Sequence, residues 1–310
     1  MTTGPWVAPD APSEPQPVRP ALAPATGAGG VLRGAGRAPG VPLPLRPMSV
    51  ADLLDGSLRI LKLAPRTVVG LTAIFVLPGQ LLVALLSRER LRGQGSASVY
   101  DVLFGGLTET DRGVHLDVFA VQFVVEQLAL ACVCVGLAEL TSAWYTGHDR
   151  TLPEVLQLVR RRAVVLVVAW FLVHVVEGVA SVLLVGPVIL PFAFYAVVSP
   201  VVACERRNPW RSLGRSMALT RRRFGAVLGI GLLVVLVDVL LTTGLGALGT
   251  TYAAFELPAD WVVAAVVNAA ANLVTVPFVA GVATLLYLDL RVRTEGLDIQ
   301  LATARRFPDA

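Results

Sequence analysis

The chain has 310 residues, 55% of them hydrophobic and only 15% charged. Against a globular average of roughly 25% charged, this apolar excess cannot be enclosed in one water-soluble core, which argues against a soluble enzyme. The formal net charge is +4, and every one of the 26 basic residues except Lys62 is an arginine. They fall between long apolar runs and not along one surface, which argues against a nucleic-acid-binding protein.

Residues 1–47 form a separate object. Eleven of the chain's 21 prolines lie there, mixed with glycine and alanine, and no run has the length of a signal-peptide core. Such a stretch has no apolar face to offset its ordering entropy, so it reads as a retained, disordered cytoplasmic tail. Residues 48–290 read as the integral membrane domain and 291–310 as a cytoplasmic C-terminal segment.

Six segments meet the spanning criterion of about 17–25 largely apolar residues: 67–87, 118–140, 163–185, 187–203, 224–248 and 261–288. All are expected to be helices, because lipid offers the backbone no hydrogen-bond partner. The fold class is therefore all-α, a polytopic bundle of six transmembrane helices. Only Gly186-Pro187 separates the third span from the fourth, which is the shortest and carries Pro191 and Pro200.

Orientation follows from the basic residues. The tail through Arg66 holds seven, 141–162 four, 204–223 seven and 289–310 four; only Arg88, Arg90, Arg92 and Arg112 fall elsewhere. With six spans and both termini in the cytoplasm, 22 bases lie inside, as the positive-inside bias requires. The expected location is the plasma membrane, multi-pass.

Each odd-numbered span is preceded by a helix start. Ser49-Val-Ala-Asp52 and Thr151-Leu-Pro-Glu154 are capping boxes, and Asn208-Pro209 offers an N-cap followed by proline at the first helical position. Apolar faces are predicted on Leu53, Leu54, Leu58 and Leu61, on Val155, Leu156 and Val159, and on Trp210, Leu213 and Met217. Opposite them stand Arg59; Arg160, Arg161 and Arg162; and Arg211, Arg215 and Arg222. Three cytoplasmic interfacial amphipathic helices are thus expected, with arginines placed for anionic lipid headgroups. Interfacial helix plus two spans, repeated three times, reads as a helical-hairpin repeat or as convergent charge anchoring.

Polar residues inside the spans are the candidate site. Gln122 and Glu126 share a face of span two, His174 and Glu177 one of span three; Asp238 lies on span five, Asn268 and Asn272 on span six. Gln80, Glu126, Glu177, Asp238 and Asn268 each fall roughly 10–15 Å below the outer boundary at 1.5 Å per residue. Such a layer either packs helices through hydrogen bonds or lines a polar site for an ion, proton or headgroup. Glu139, nearer the inner end, is expected to pair with an interfacial arginine.

The remaining motifs are negative. Cys132, Cys134 and Cys204 read as free thiols, and the three histidines are too dispersed for a local zinc site, so no metal and no cofactor is expected. Gly244-Leu-Gly-Ala-Leu-Gly249 matches a dinucleotide fingerprint by letter but follows no strand. Gly225 and Gly229 have the small-residue spacing of a close helix approach. No nucleophile constellation is visible, so no enzymatic activity is expected.

Three stretches carry a resemblance: Pro47 to Gly56 (PMSVADLLDG), Glu205 to Thr220 (ERRNPWRSLGRSMALT) and Leu286 to Asp298 (LYLDLRVRTEGLD). Together they resemble the actinobacterial multispanning proteins grouped as the membrane domain of glycerophosphoryl diester phosphodiesterase. The resemblance implies a membrane domain, over residues 47 to 303, that some relatives fuse to a phosphodiesterase barrel; the 310 residues leave no room for that barrel. The first functional expectation is therefore a non-enzymatic organising or regulatory membrane protein that contacts lipid headgroups. The alternative is a small carrier with an outward-facing polar site. The parallel character of the repeat favours the first, since carriers often use inverted repeats and broken helices. No nucleic-acid partner is expected, and homo-oligomerisation is left open.

Overall fold

The computed structural model describes residues 45–91, 116–183, 189–253 and 260–306, all within a unit running from Arg37 to Ala310. The tail through residue 44, most of the 88–117 loop, the Gly186-Pro187 turn and the acidic turn after span five lie outside the described residues. Every regular element among the described residues is helical.

The first helix, α1 (Val50–Leu63), begins as a capping box. The Asp52 N–H donates to Ser49 Oγ at 3.2 Å, and the Ser49 N–H donates to the Asp52 carboxylate at 2.9 Å. That backbone bond, with the Ser49 hydroxyl behind it, holds the Asp52 carboxyl below its ordinary range. Pro65 ends the helix, because its ring drives Ala64 out of the α region, to φ −137° and ψ 61°. Proline is then tolerated at the first position of α2 (Pro65–Leu91), where no intrahelical N–H is needed. Next come α3 (Leu116–Tyr145) and α4 (Leu152–Leu183). Two short helices follow, α5 (Ile189–Tyr195) and α6 (Val198–Glu205). The chain continues with α7 (Pro209–Thr220), a 3₁₀ turn (Arg221–Arg223), α8 (Phe224–Ala253), α9 (Asp260–Glu295) and α10 (Leu297–Arg306).

Five stretches are long and apolar enough to cross a membrane: Pro65–Leu86, Ala120–Tyr145, Leu152–Ser181, Pro209–Leu245 and Ala265–Glu295. Their outer faces carry exposed Leu81, Phe171, Leu236, Leu240 and Val266, a surface suited to lipid. The most enclosed of the five is α9, which packs against α8, α2, α1 and α3. Gly296, at φ 64°, ends it in the left-handed conformation that glycine adopts without steric cost, and its N–H returns to the Val292 carbonyl.

Close approaches fix the packing. A Cβ on Gly136 would lie 2.5 Å from the Leu71 side chain, and one on Gly79 would overlap Val125, so α2 and α3 meet at two glycines. Likewise α1 lies on α9 where Gly281 faces Ser57, whose Cβ would be 3.0 Å away. Gly225 and Gly229 do not serve this purpose: both face open space, and the glycine of α8 in contact is Gly231, against Phe192. Spacing alone could not tell which side of an all-apolar helix meets protein.

Three expectations about helices need correction. The fourth span is not one helix: it breaks at Ala196-Val197 into α5 and α6, because Pro200 cannot donate to the carbonyl four residues back and its ring clashes there. The interfacial helix expected at 151 is not separate either; those residues are the first turns of the continuous 32-residue α4. In α1 and α7 the buried faces differ from the predicted ones. Gly56, Ser57 and Ile60 join Leu53 inside while Leu58 is exposed, and Ser212, Ser216, Leu219 and Thr220 join Leu213 while Trp210 is 69% exposed. Both helices dock on protein through a face that mixes small and hydroxyl residues, which leave room for backbone approach, with Leu53 and Ile60 or Leu213 and Leu219, while Leu58 and Trp210 stay outside.

The hydroxyls of α7 answer the break. Ser216 Oγ donates to the Phe194 carbonyl at 2.7 Å and Thr220 Oγ1 at 3.3 Å, so the carbonyl freed by the interrupted helix is satisfied by a neighbour. Replacing both by alanine strands a buried acceptor and is expected to cost about 1–3 kcal/mol. Thermal unfolding in detergent measures this, and a double variant as stable as the parent would show that the bonds do not support the break.

Candidate functional site

A cavity of about 430 Å³ opens where the broken helix faces α3, α4, α8 and α9. Its size falls in the range of small-molecule sites, about 300–1,000 Å³. Phe192, Tyr195, Ala196, Val198 and Ser199, which flank the break, form one wall. Opposite and beside them stand Glu126 of α3, Trp170, His174 and Glu177 of α4, Asp238 of α8 and Asn272 of α9. Five residues of the predicted polar layer, drawn from four helices, therefore share one space.

Each is held by identifiable partners. Gln80 of α2 and Gln122 of α3 both donate amide N–H bonds to Glu126 Oε1, at 3.2 and 3.1 Å. These two glutamines stand behind the carboxylate and do not line the cavity. His174 Nδ1 lies 2.9 Å from the Trp170 carbonyl, which can only accept, so Nδ1 carries the proton and Nε2 turns to Glu177 Oε2 at 3.9 Å. The imidazole is braced by the Trp170 ring, 4.4 Å between centroids, and by Phe123, edge-on at 5.3 Å. Asp238 is within electrostatic reach of Glu126 and beside the Thr275 hydroxyl. Asn272 donates to the Asn268 backbone carbonyl at 3.1 Å, while Asn268 itself is exposed and outside the cavity.

The lining contains three carboxyl groups, no lysine and no arginine; His174 is the one basic side chain. Among the described residues, no three His, Cys, Asp or Glu converge closely enough to hold a metal ion. Four polar or aromatic lining groups with hydrogen-bonding capacity went unpredicted: Gln127, Trp170, Tyr195 and Ser199. Trp170 is one turn before His174, so its face was readable from spacing, and its Nε1 is buried with no hydrogen-bond partner. Tyr195 and Ser199 share helical spacing with Phe192 and Ala196, so their common face was readable once one of them was placed in the cavity.

At the C-terminal end of α9, just past the last cavity residue Leu286, the charged residues interlock. Arg215 pairs with Glu205 at 2.8 Å and with Glu295; Glu295 also takes Arg291, and the Tyr287 hydroxyl donates to Glu205. Arg293 pairs with Asp289 at 2.8 Å and donates to the Met48 carbonyl, whose N–H donates back to Asp289 at 2.6 Å. Glu139 is buried beside Arg150 at 3.9 Å, as the arginine pairing predicts. The three stretches that carry the resemblance thus meet at one end of the bundle. Of the arginines assigned to lipid headgroups, Arg160, Arg161, Arg211 and Arg222 are exposed and Arg162 is half-buried. Arg215 is not placed for that role, being committed to two carboxylates within the protein. Cys132, Cys134 and Cys204 are free.

Arg215→Gln is expected to destabilise by about 2–3 kcal/mol through lost charge-assisted bonds, whereas exposed Arg222→Gln should stay within about 0.5 kcal/mol. Chemical unfolding in detergent measures both, and equal effects would contradict the distinction between the two arginines.

Comparison of the chain with family models, with curated proteins and with solved structures returned no match.

Proposed function

We propose that this protein is a non-enzymatic plasma-membrane carrier that binds a small cationic solute in the cavity beside the broken helix. The observation carrying the reading is the coincidence of the two features: a discontinuous helix and a polar cavity walled by its break. Interrupted helices with carboxylates from neighbouring helices are a recurrent way to build an intramembrane binding site, since irregular backbone is tolerated where it borders a cavity. Carboxylates without arginine or lysine partners favour positive charge in the site.

In this reading Ile189–Glu205 is a sixth crossing made of two half-helices. At 1.5 Å per residue its 17 residues reach roughly 25 Å. Without that crossing, 204–223 and 289–310 would lie opposite the tail, leaving the larger share of the bases outside. Six crossings keep both termini in the cytoplasm, and contacts joining Met48, Glu205, Arg215 and Glu295 to one end of the bundle support this. Cysteines introduced at the exposed positions His148 and Arg222 should resist an impermeant reagent in intact cells, while one at Thr250 should react. The reverse pattern would invert the orientation.

A second reading, lipid-headgroup contact by an organising protein, is favoured by the exposed Trp210 beside Arg211 and by exposed Arg221, Arg222 and Arg223. The resemblance to the phosphodiesterase membrane-domain family is compatible with either reading and brings no catalytic activity. The two are separated in liposomes. The purified full chain should show proton, sodium, potassium or phenethylammonium flux under an imposed gradient. Glu126→Gln, Glu177→Gln and Asp238→Asn should each lower it tenfold or more while costing no more than about 1–2 kcal/mol of stability. No flux under any of these gradients would overturn the carrier reading; flux unaffected by all three variants would take the cavity off its path.

A further inference from the structure

The cavity has more character than a negative charge. Its aromatic side chains, Phe123, Trp170, Phe192 and Tyr195, come from three different helices, and aliphatic groups fill most of the remaining wall. Carboxyl groups on three helices ring it, yet no triad among the described residues converges on a metal-sized point. A bare inorganic cation would leave most of the 430 Å³ and its aromatic faces unused. An ammonium attached to an apolar body satisfies both, since aromatic faces attract organic cations and the body replaces water against the aliphatic wall. The Trp170 Nε1–H is buried without an acceptor. A buried donor in that state calls for a partner, and because Trp170 lines the cavity, a ligand that turns the indole or displaces what covers its N–H can supply one.

We propose that the cavity binds a small organic amine, an ammonium on an aromatic or aliphatic body with a neighbouring hydrogen-bond acceptor, its cation held among Glu126, Glu177 and Asp238 and its acceptor by Trp170. This deepens the carrier reading and rests on it for function, but binding is testable without transport. The ring of Trp170 serves as a wall and its N–H as a selector. His174 is already tied to the Trp170 carbonyl and directed at Glu177, so it positions that carboxylate.

The test is calorimetric titration of the full chain in nanodiscs of neutral lipid at pH 7.5, with empty nanodiscs subtracted. Phenethylammonium should bind one saturable site, while the same-shape neutral 2-phenylethanol and the anion phenylacetate bind at least tenfold more weakly. Phenylethanolamine, which adds a hydroxyl acceptor, should bind several-fold tighter than phenethylammonium. Trp170→Phe keeps the aromatic face and should abolish that advantage; Glu126→Gln, Glu177→Gln and Asp238→Asn should each weaken both amines tenfold or more. Melting temperatures of the same samples identify any variant that fails to fold. Equal binding of the neutral alcohol, amine binding untouched by all three amide variants, or no saturable site would overturn the inference. An unchanged hydroxyl advantage in Trp170→Phe would overturn the role given to that residue. Proton or sodium flux without amine binding would sink the inference and leave the carrier reading standing; amine binding without flux would do the opposite.

Discussion

A carbonyl with no helical partner organises much of this molecule. Phe194 loses its intrahelical donor because Pro200 forces the chain to turn at Ala196-Val197. In an apolar surround an unpaired peptide group costs several kcal/mol, so the interruption persists only where a neighbour supplies the donor. Ser216 and Thr220 supply it. That requirement explains why Ser216 and Thr220 stand beside Leu213 and Leu219 on the docked face of α7, while Trp210 and Met217 are exposed. It also places the charged residues that follow: with α7 docked through its hydroxyls, Arg215 reaches Glu205 and Glu295, and the 3₁₀ turn Arg221–Arg223 lies exposed.

The charged network at the C-terminal end of α9 and the cavity treat their acids differently. The network is a closed one in which carboxylates and arginines are paired: Asp289 with Arg293, Glu295 with Arg291 and Arg215. Partners at hydrogen-bond distance and only partly exposed give such a network definition, because each carboxylate accepts from more than one donor. Farther along the bundle the acids of the cavity receive different treatment. Glu126 accepts two neutral amides, Glu177 faces a histidine and Asp238 a hydroxyl, and none is matched by an arginine or lysine. The contrast is informative because this chain has arginines in abundance. Acids paired with arginine in the network and acids without an arginine or lysine in the cavity are different solutions within a single fold, and only the second leaves electrostatic capacity for something else to use.

What was legible in the sequence follows from what a period can encode. Length and apolarity picked out six segments, and five of them overlap the stretches long and apolar enough to cross a membrane, since a helix that faces lipid must be continuously apolar. The capping box at Ser49 and the cap at Asn208 were readable because a cap is local, a matter of two residue types three apart. Thr151 and Glu154 also start a helix, through the Thr151 N–H to Glu154 bond, but nothing local revealed that it would run on without a stop. Buried faces were less legible. A membrane helix has no polar side to set against an apolar one, so Gly231 could not be told from Gly229 by composition. The polar layer was found because a charged group in an apolar run is conspicuous. Its division into cavity-lining Glu126 and supporting Gln80 and Gln122 needed the third dimension.

The broken helix also shows how one feature can be read in opposite ways. Pro191 and Pro200 made the fourth segment the weakest span when spans were judged by continuity, and the apparent parallel repeat argued against a carrier. Judged by what proline does to hydrogen bonding, the same residues mark where backbone must be exposed and therefore where a cavity can form. Tyr195 and Ser199 illustrate the difference. On an unbroken helix they would be four apart on one face and would follow the rest of the span in its rotation. With the turn at Ala196-Val197 between them, they stand on separate helices and both line the cavity, beside Trp170 and its unpartnered N–H. The broken segment thus contributes a phenol and a hydroxyl to a space that α4 lines with Trp170 and that already holds three carboxyl groups. The amine proposed for this cavity would use both kinds of group, the carboxyls from α3, α4 and α8 and the hydroxyls from the segment that breaks.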